Sequence, residues 1–364
     1  MVETFIKALI LGFREKKKID IITIYPSTKL TKNKFFSIIR VPIYLTRVLL
    51  FLKGNQNKNP FKKMIQVYIN LEILTSRKID VVHYLFSNLA VGRENLADII
   101  GAKNSIGLRG YDITFYAINH PEVYSELFWN SIDSIQTNSQ DLYQWALKWG
   151  ASLKTPVSTI NAAVDDSFIL PIENKSVKAS INQINLVFVG RLHWKKGLDM
   201  LIKVFVKLFK SHNAKLVIIG EGPEREKLQF LISKFELRES VTITGKLEQT
   251  EILKKLDESD ILLAPSIQEG CSNVVLEAQA RGVFCIVSDA EGMNEVIEDQ
   301  KTGVICEMWE DQLWIEAILE YVSLNQNTRK EIAEYSINRV SKNFTRSKQI
   351  EKWENYFNEL CSIS

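Results

Sequence analysis

The chain has 364 residues, of which 46% are hydrophobic and 24% charged. That balance excludes a disordered or collagen-like chain and leaves enough apolar material for two cores. Net charge is only +3, so the total does not demand a nucleic-acid partner. The charge is uneven, however. Residues 1–80 hold 16 Lys and Arg against 5 Asp and Glu, which points this part at an anionic partner such as a bilayer surface or a phosphorylated ligand. A solvated lysine-rich surface is the plain alternative. The four cysteines, Cys271, Cys285, Cys306 and Cys361, match no metal or disulfide spacing, and a reducing cytosol suits them. No apolar run reaches the roughly 18 residues of a membrane span. The longest, Val41–Leu52, is broken by Thr46 and Arg47. The stretch Met1–Phe13 carries Glu3 and Lys7 and lacks a basic leader, so it makes a poor signal peptide.

In chain order, the first half predicts strands at Ile19–Tyr25, Ile79–Phe86, Ile106–Arg109, Ser134–Thr137 and Val157–Ile160, with a helix at Asp141–Trp149. Residues 166–184 mix acids, Pro171, Lys and Ser without a period and read as a linker. The second half is more regular. Val- and Ile-rich runs at Leu186–Gly190, Leu216–Gly220, Val241–Gly245, Ile261–Ser266, Phe284–Asp289 and Val304–Glu307 suit strands buried on both faces of a parallel sheet. Amphipathic patterns at Leu198–Phe209, Glu224–Phe235, Gln249–Glu258 and Asn273–Arg281 lie between them. The alternation predicts an α/β fold with right-handed crossovers. A final stripe of Ile350, Trp353, Tyr356, Phe357 and Leu360 predicts a packing helix. The expected organisation is a first lobe over 1–165, a linker over 166–184, a second lobe over 185–340 and a terminal helix over 341–364.

Such sheets bind ligands at the carboxyl ends of their strands, and four loops there carry chemistry. After the first second-lobe strand comes Gly190-Arg191-Leu192-His193-Trp194-Lys195-Lys196-Gly197. A glycine-flanked turn into a helix N-terminus suits an anion, with Arg191 as a forked donor and Lys196 as a point charge. The plain reading is a capped turn with solvated cations. Gln268-Glu269-Gly270-Cys271-Ser272-Asn273-Val274 leads to Glu277. Two carboxylates eight residues apart suit the hydroxyls of a sugar and a ribose, and Ser272 or Asn273 can cap the helix. The alternative pairs Glu277 with Arg281 at i+4. Gly220-Glu221-Gly222-Pro223 allows close backbone approach and puts Pro223 at a first helical position. Asp289-Ala290-Glu291-Gly292 can offer backbone N–H groups to a phosphate. In the first lobe, His83 and Arg109-Gly110-Tyr111-Asp112 end strands; for His83 a core histidine is the default.

In this order, G-R-L-x-x-x-K-G, G-E-G-P, P-S-x-x-E-G-x-x-N-x-x-L-E-A-x-A-x-G and E-G-x-x-E-V-I closely resemble the retaining glycosyltransferases of family four. The resemblance covers Asn185 to about Glu307, and extends more weakly to Asp80–His83 and Arg109–Asp112. It implies a GT-B fold: two Rossmann-like lobes facing across a cleft, with the last helix crossing back to the first. It implies a nucleotide-sugar donor as co-substrate, a glycan or lipid-linked acceptor, surface polysaccharide biosynthesis and no resident cofactor. By the same resemblance, Arg191 and Lys196 neutralise the donor diphosphate, Glu269 contacts the transferred sugar and Glu277 the ribose. Gly190, Gly270, Ser272, Asn273, Val274 and Gly292 cradle the sugar and diphosphate, and the base rests near Gly245. His83, Arg109 and Asp112 are the expected first-lobe contributors.

Two departures stand out. Arg109 occupies a position where family members often carry His, and arginine cannot act as a base. The chain also begins almost directly at Glu3-Thr4-Phe5-Ile6, so the first lobe is expected to lack its first strand. These motivate an alternative: a non-catalytic GT-B binding or scaffold subunit that needs a partner. An epimerase of the same architecture fits less well, for want of acid/base histidines. No D-x-D pattern occurs, so metal-independent transfer is expected. The location expected is cytoplasmic, peripheral at the inner membrane face through the basic first lobe, where Lys32, Lys34, Arg40 and Arg47 are interleaved with Phe35, Phe36 and Leu50.

Overall fold

The computed structural model describes residues 79–178 and 182–362. The strand expected at Ile19–Tyr25, the missing first strand and the basic apolar region 29–63 lie outside the described residues. Two units emerge. The first holds the described residues through Thr137, then Tyr143–Thr159 and the residues from Ile350 on; the second holds Asn138–Leu142 and Ile160–Gln349.

In the first unit, the described elements are β1 (Val81–Tyr84), α1 (Leu96–Ile100), β2 (Lys103–Leu108), α2 (Phe115–Asn119), α3 (Glu126–Asn130), β3 (Ser134–Thr137), α4 (Gln140–Lys148) and β4 (Val157–Thr159). The four strands form a parallel sheet in the order β1-β2-β3-β4. Ile106, Leu108 and Ile135 are fully buried in it. β2 starts three residues before the apolar pattern does. Its extra residues are polar and bond locally: Asn104 Nδ2 donates to the Ser131 carbonyl at 2.8 Å and its backbone N–H to Asp133 at 2.6 Å, while its buried Oδ1 has no hydrogen-bond partner among the described residues. Backbone pairing with polar side chains bonded locally lets a strand continue where hydrophobicity stops.

The second unit contains β5 (Ile184–Val189), α5 (Leu198–Phe209), β6 (Ala214–Ile219), α6 (Arg225–Lys234), β7 (Val241–Gly245), α7 (Gln249–Glu258), β8 (Ile261–Ala264), α8 (Asn273–Ala280), β9 (Phe284–Ser288), α9 (Met293–Val296), β10 (Gly303–Cys306), α10 (Asp311–Ser323) and α11 (Gln326–Asn343). The strands make one parallel sheet in the order β10-β9-β8-β5-β6-β7. Alternate residues of β5 feed opposite cores: Leu186 and Phe188 join Phe205, Ile218 and Trp314 on one face, while Val187 joins Leu262, Val275 and Val340 on the other. Helices therefore cover both faces, which is why these strands read as unbroken apolar runs.

The sequence pattern does not single out α10 or α11. α11 is largely polar, and it buries Arg329, whose guanidinium donates to the Lys178 carbonyl at 3.0 Å. Residues 166–178, expected as a linker, pack onto the second unit. Phe168 enters its core, and Lys175 Nζ donates to the Arg281 carbonyl at 2.8 Å. α12 (Arg346–Ser362) closes the described chain; its residues through Gln349 group with the second unit and those from Ile350 with the first. Trp353, Tyr356 and Leu360 are buried, as the stripe predicts.

Candidate functional site

The carboxyl ends of β5, β6 and β8 are stitched together by their own backbone. Leu192 N–H donates to the Glu221 carbonyl at 2.9 Å, and Glu224 N–H to the Leu192 carbonyl at 3.0 Å. Ile267 N–H donates to the Lys195 carbonyl at 2.7 Å. These bonds fix the loops Gly190–Gly197, Gly220–Gly222 and Pro265–Gly270 as one surface. Gly197 is where they come closest. Its φ is +62°, and a Cβ there would lie 1.7 Å from the Pro265 carbonyl oxygen, so only glycine fits.

On this surface Lys196 Nζ forms an ion pair with Glu269. Both side chains are mostly buried, at 26% and 17% exposure. The pair joins the two motifs that the sequence places 73 residues apart, and stands at the ends of adjacent strands β5 and β8. Lys195, which sequence reasoning did not select, belongs to the same cluster. Burial pushes its ammonium below the usual lysine range, and Arg191 adds to this while Glu269 opposes it. Its signal in the sequence is only its place in the Lys195-Lys196 pair. Arg191 itself is exposed, and its carbonyl accepts the His193 N–H at 2.8 Å. Gly190 lies at the base of the loop, its N–H bonded to the Ile219 carbonyl at 2.9 Å.

The loop after β8 leads into α8. Ser272 takes the N-cap position, yet its side chain accepts no capping bond. This departs from the expected cap and leaves the first-turn N–H groups, at Asn273 and Val274, without a side-chain acceptor from Ser272. The Leu276 N–H bonds the Ser272 carbonyl at 3.3 Å. Glu277 does not pair with Arg281. That arginine instead forks onto Asp257 at 2.8 and 2.6 Å. Burial raises the Glu277 carboxyl to about 7, opposed by the positive charge of Arg346. A half-buried carboxyl poised near neutrality suits hydroxyl ligands in either protonation state.

Gly292 meets Gly270 closely: a Cβ on Gly292 would lie 2.0 Å from the Gly270 carbonyl oxygen. Its N–H, expected to face a phosphate, donates to the Asp141 carboxylate at 2.8 Å. The loop is further tied by Glu295, which accepts from Gln140 N–H at 2.5 Å and from Asn161 Nδ2 at 2.8 Å. Asp141 thus supplies the anion at this turn. Gly245 ends β7, and its carbonyl accepts the Gly220 N–H at 2.9 Å. Pro223 precedes the Glu224 N-cap of α6 rather than opening the helix.

The three first-lobe candidates serve their own unit. His83 Nδ1 hydrogen-bonds Ser105 Oγ at 2.7 Å, and Ser105 Oγ in turn bonds the Tyr356 hydroxyl at 2.6 Å. The ring meets Trp353 and Phe357 edge-on at 5.1 and 5.7 Å. Burial, aided by the charge of Arg109, lowers the His83 pKa to about 3, so it is neutral at pH 7. Its Nε2 has no hydrogen-bond partner among the described residues. Arg109 Nε donates to the Leu85 carbonyl at 3.2 Å, and the guanidinium lies 5.6 Å from the Trp353 ring centre. Asp112 is fully buried and accepts from Ser87 N–H, Ser87 Oγ and Arg109 N–H at 2.9, 3.0 and 2.9 Å. Its carboxylate holds the loop in place.

Residues 172–339 match the family described as glycosyl transferases group 1. An uncharacterized glycosyltransferase of Methanocaldococcus jannaschii is 33% identical over 36% of this chain and 33% of its own length. The N-acetyl-alpha-D-glucosaminyl L-malate synthase of Bacillus anthracis is 32% identical over 34% of this chain and 32% of its own. The chain spans about a third to a half of the length of the curated relatives it matches. Among solved structures, a glycosyltransferase from Rickettsia africae superposes with TM-score 0.71 at 20% identity, covering 85% of this chain and 84% of that one. Anabaena HepE, in complex with UDP and glucose, superposes with TM-score 0.69 at 16% identity over 81% and 82%. The α/β fold with two parallel sheets matches that of these GT-B glycosyltransferase structures.

Proposed function

We propose that the chain is a retaining, metal-independent glycosyltransferase. It moves a hexose or related sugar from a nucleoside diphosphate sugar to a glycan or lipid-linked acceptor in surface polysaccharide biosynthesis. The observation that carries this reading is the Lys196–Glu269 pair at the adjoining ends of β5 and β8. It lies inside the segment that matches the glycosyltransferase family. The UDP and glucose bound to HepE support a nucleotide-sugar donor.

Transfer breaks the bond between the anomeric carbon and a phosphate oxygen. The departing diphosphate gains negative charge, and Lys196, Lys195 and Arg191 share one short loop from which to stabilise it. A phosphate arriving at Lys196 competes with Glu269, freeing that carboxylate to accept sugar hydroxyls. Glu277 takes the ribose, and the first turn of α8 offers N–H groups to the sugar and diphosphate. On the front-face route, the departing phosphate takes the acceptor's proton, so no protein base is needed. The chain acts in the cytoplasm, at the inner face of the membrane; among the described residues no helix is long and apolar enough to cross one.

The test is sugar transfer by purified full-length protein, with Lys196→Ala and Glu269→Ala variants. Each is expected to lose transfer by at least a hundredfold, with unfolding midpoints close to that of the parent. Wild-type rates in either variant overturn the reading.

A further inference from the structure

The turn between α4 and β4 carries side chains that a turn does not need. Residues 152–155 are closed by a bond from the Thr155 N–H to the Ser152 carbonyl at 3.1 Å, and the two central residues are Leu153 and Lys154. Gly, Pro, Asn, Asp and Ser dominate such corners, yet Leu153 stands here 79% exposed. We propose that this tip docks on an anionic phospholipid bilayer, with Leu153 entering the acyl boundary and Lys148 and Lys154 meeting the lipid phosphates.

Three features carry it. The first is rigidity. α4 ends on Gly150 at φ +97°, where the Ala151 N–H closes on the Ala146 carbonyl at 3.0 Å, and Trp129 Nε1 donates to the Trp149 carbonyl at 2.6 Å. The Lys154 N–H also donates to Ser152 Oγ at 3.1 Å. A hydrogen-bonded corner therefore holds the leucine outward. The second is charge. Residues 142–164 contain no Asp or Glu, so the exposed Lys148 and Lys154 give the run a local positive charge that an anionic surface attracts. The third is composition. Trp145 and Trp149 are half-buried, and Lys148 Nζ lies 4.6 Å from the Trp145 ring centre. Tryptophan and lysine around a bare leucine is the makeup of a membrane-interface segment. Its rings sit at headgroup level, its ammonium groups at the phosphates and its aliphatic side chain below.

Charge also chooses the occupant. A second copy meeting the same tip across a two-fold axis would set Lys148 and Lys154 against their own counterparts, with no acid in the run to relieve them. A bilayer offers phosphates and an apolar layer together. Trp129 and residues 145–154 all belong to the first unit. The tip precedes β4 of a parallel sheet, so it lies at the opposite end from the carboxyl ends where such sheets take ligands. It is also distinct in sequence from the basic residues 1–80.

Hydrogen exchange over residues 149–156 of the full chain, with and without vesicles, tests the proposal without measuring transfer, so its outcome is separate from the transferase reading. Vesicles of equal parts phosphatidylglycerol and phosphatidylcholine are expected to slow exchange there by about threefold or more, and pure phosphatidylcholine to leave it unchanged. Leu153→Asp, and separately Lys148→Glu combined with Lys154→Glu, are each expected to weaken vesicle affinity about fivefold. Unfolding midpoints should stay at the parent value, because every changed side chain is exposed. Exchange over 149–156 that the mixed vesicles leave unchanged, equal slowing by pure phosphatidylcholine, or parental vesicle affinity in Leu153→Asp overturns it. Slowing that grows with protein concentration in the absence of vesicles assigns the tip to a second copy and overturns it too.

Discussion

At the scale of single residues, the site depends on positions with no freedom. Gly197→Ala forces a Cβ into the Pro265 carbonyl and strains a left-handed backbone. It is expected to cost about 2 kcal/mol or more, read as a lower unfolding midpoint and weaker nucleoside diphosphate binding together. His83 predicts a pH effect. Its folded pKa, about 3, lies below the unfolded value of 6.5. The unfolded chain binds the proton first, so this residue's contribution is intact above pH 6.5 and is lost as pH falls toward 3. The slope is at most about 1.4 kcal/mol per pH unit. Denaturation midpoints against pH should be flatter for His83→Phe than for the parent across that window. Glu277 runs the other way. Its carboxyl is raised from 4.5 to about 7, so the folded state holds the proton longer and stability is lost as pH rises through that interval. Glu277→Gln should remove this loss, a difference visible in paired melts at pH 5 and pH 8.

At the scale of elements, legibility followed burial. β7 and α5 were readable to the residue because β7 is bounded by a glycine and α5 carries a clean apolar stripe. The runs Leu216–Gly220 and Ile261–Ser266 end in loop residues, since a propensity pattern does not register where the ladder stops. β2 was half hidden because Asn104 and Ser105 are buried and polar, their bonds supplied by partners far along the chain. α11 was hidden by its polar face. The loops at the strand ends were legible as ordered motifs, and two of these hold the Lys196–Glu269 ion pair. What the sequence could not disclose was which partner each group takes: Asp141 at the Gly292 N–H, Ser87 on Asp112, and Asp257 rather than Glu277 on Arg281. Those choices depend on three-dimensional proximity. The Arg281–Asp257 fork anchors the end of α8 to α7, and Arg281→Ala should lower stability by about 1 kcal/mol, since one partner is largely solvent-facing.

At the scale of the whole molecule, charge and partition matter most. The basic excess of residues 1–80 predicts flotation with anionic liposomes that weakens as salt rises, because a Debye length of about 8 Å at physiological ionic strength shortens further. Flotation insensitive to both salt and anionic lipid would remove the membrane assignment.

The partition of α12 has a consequence for how the protein is born. Trp353 and Tyr356, near the far end of the described chain, surround His83 near its start. Translation therefore delivers the two halves of one core some 270 residues apart. On the ribosome the second unit can consolidate while the first still waits for its aromatic plug, a interval in which chaperone capture of the nascent amino-terminal half is favoured.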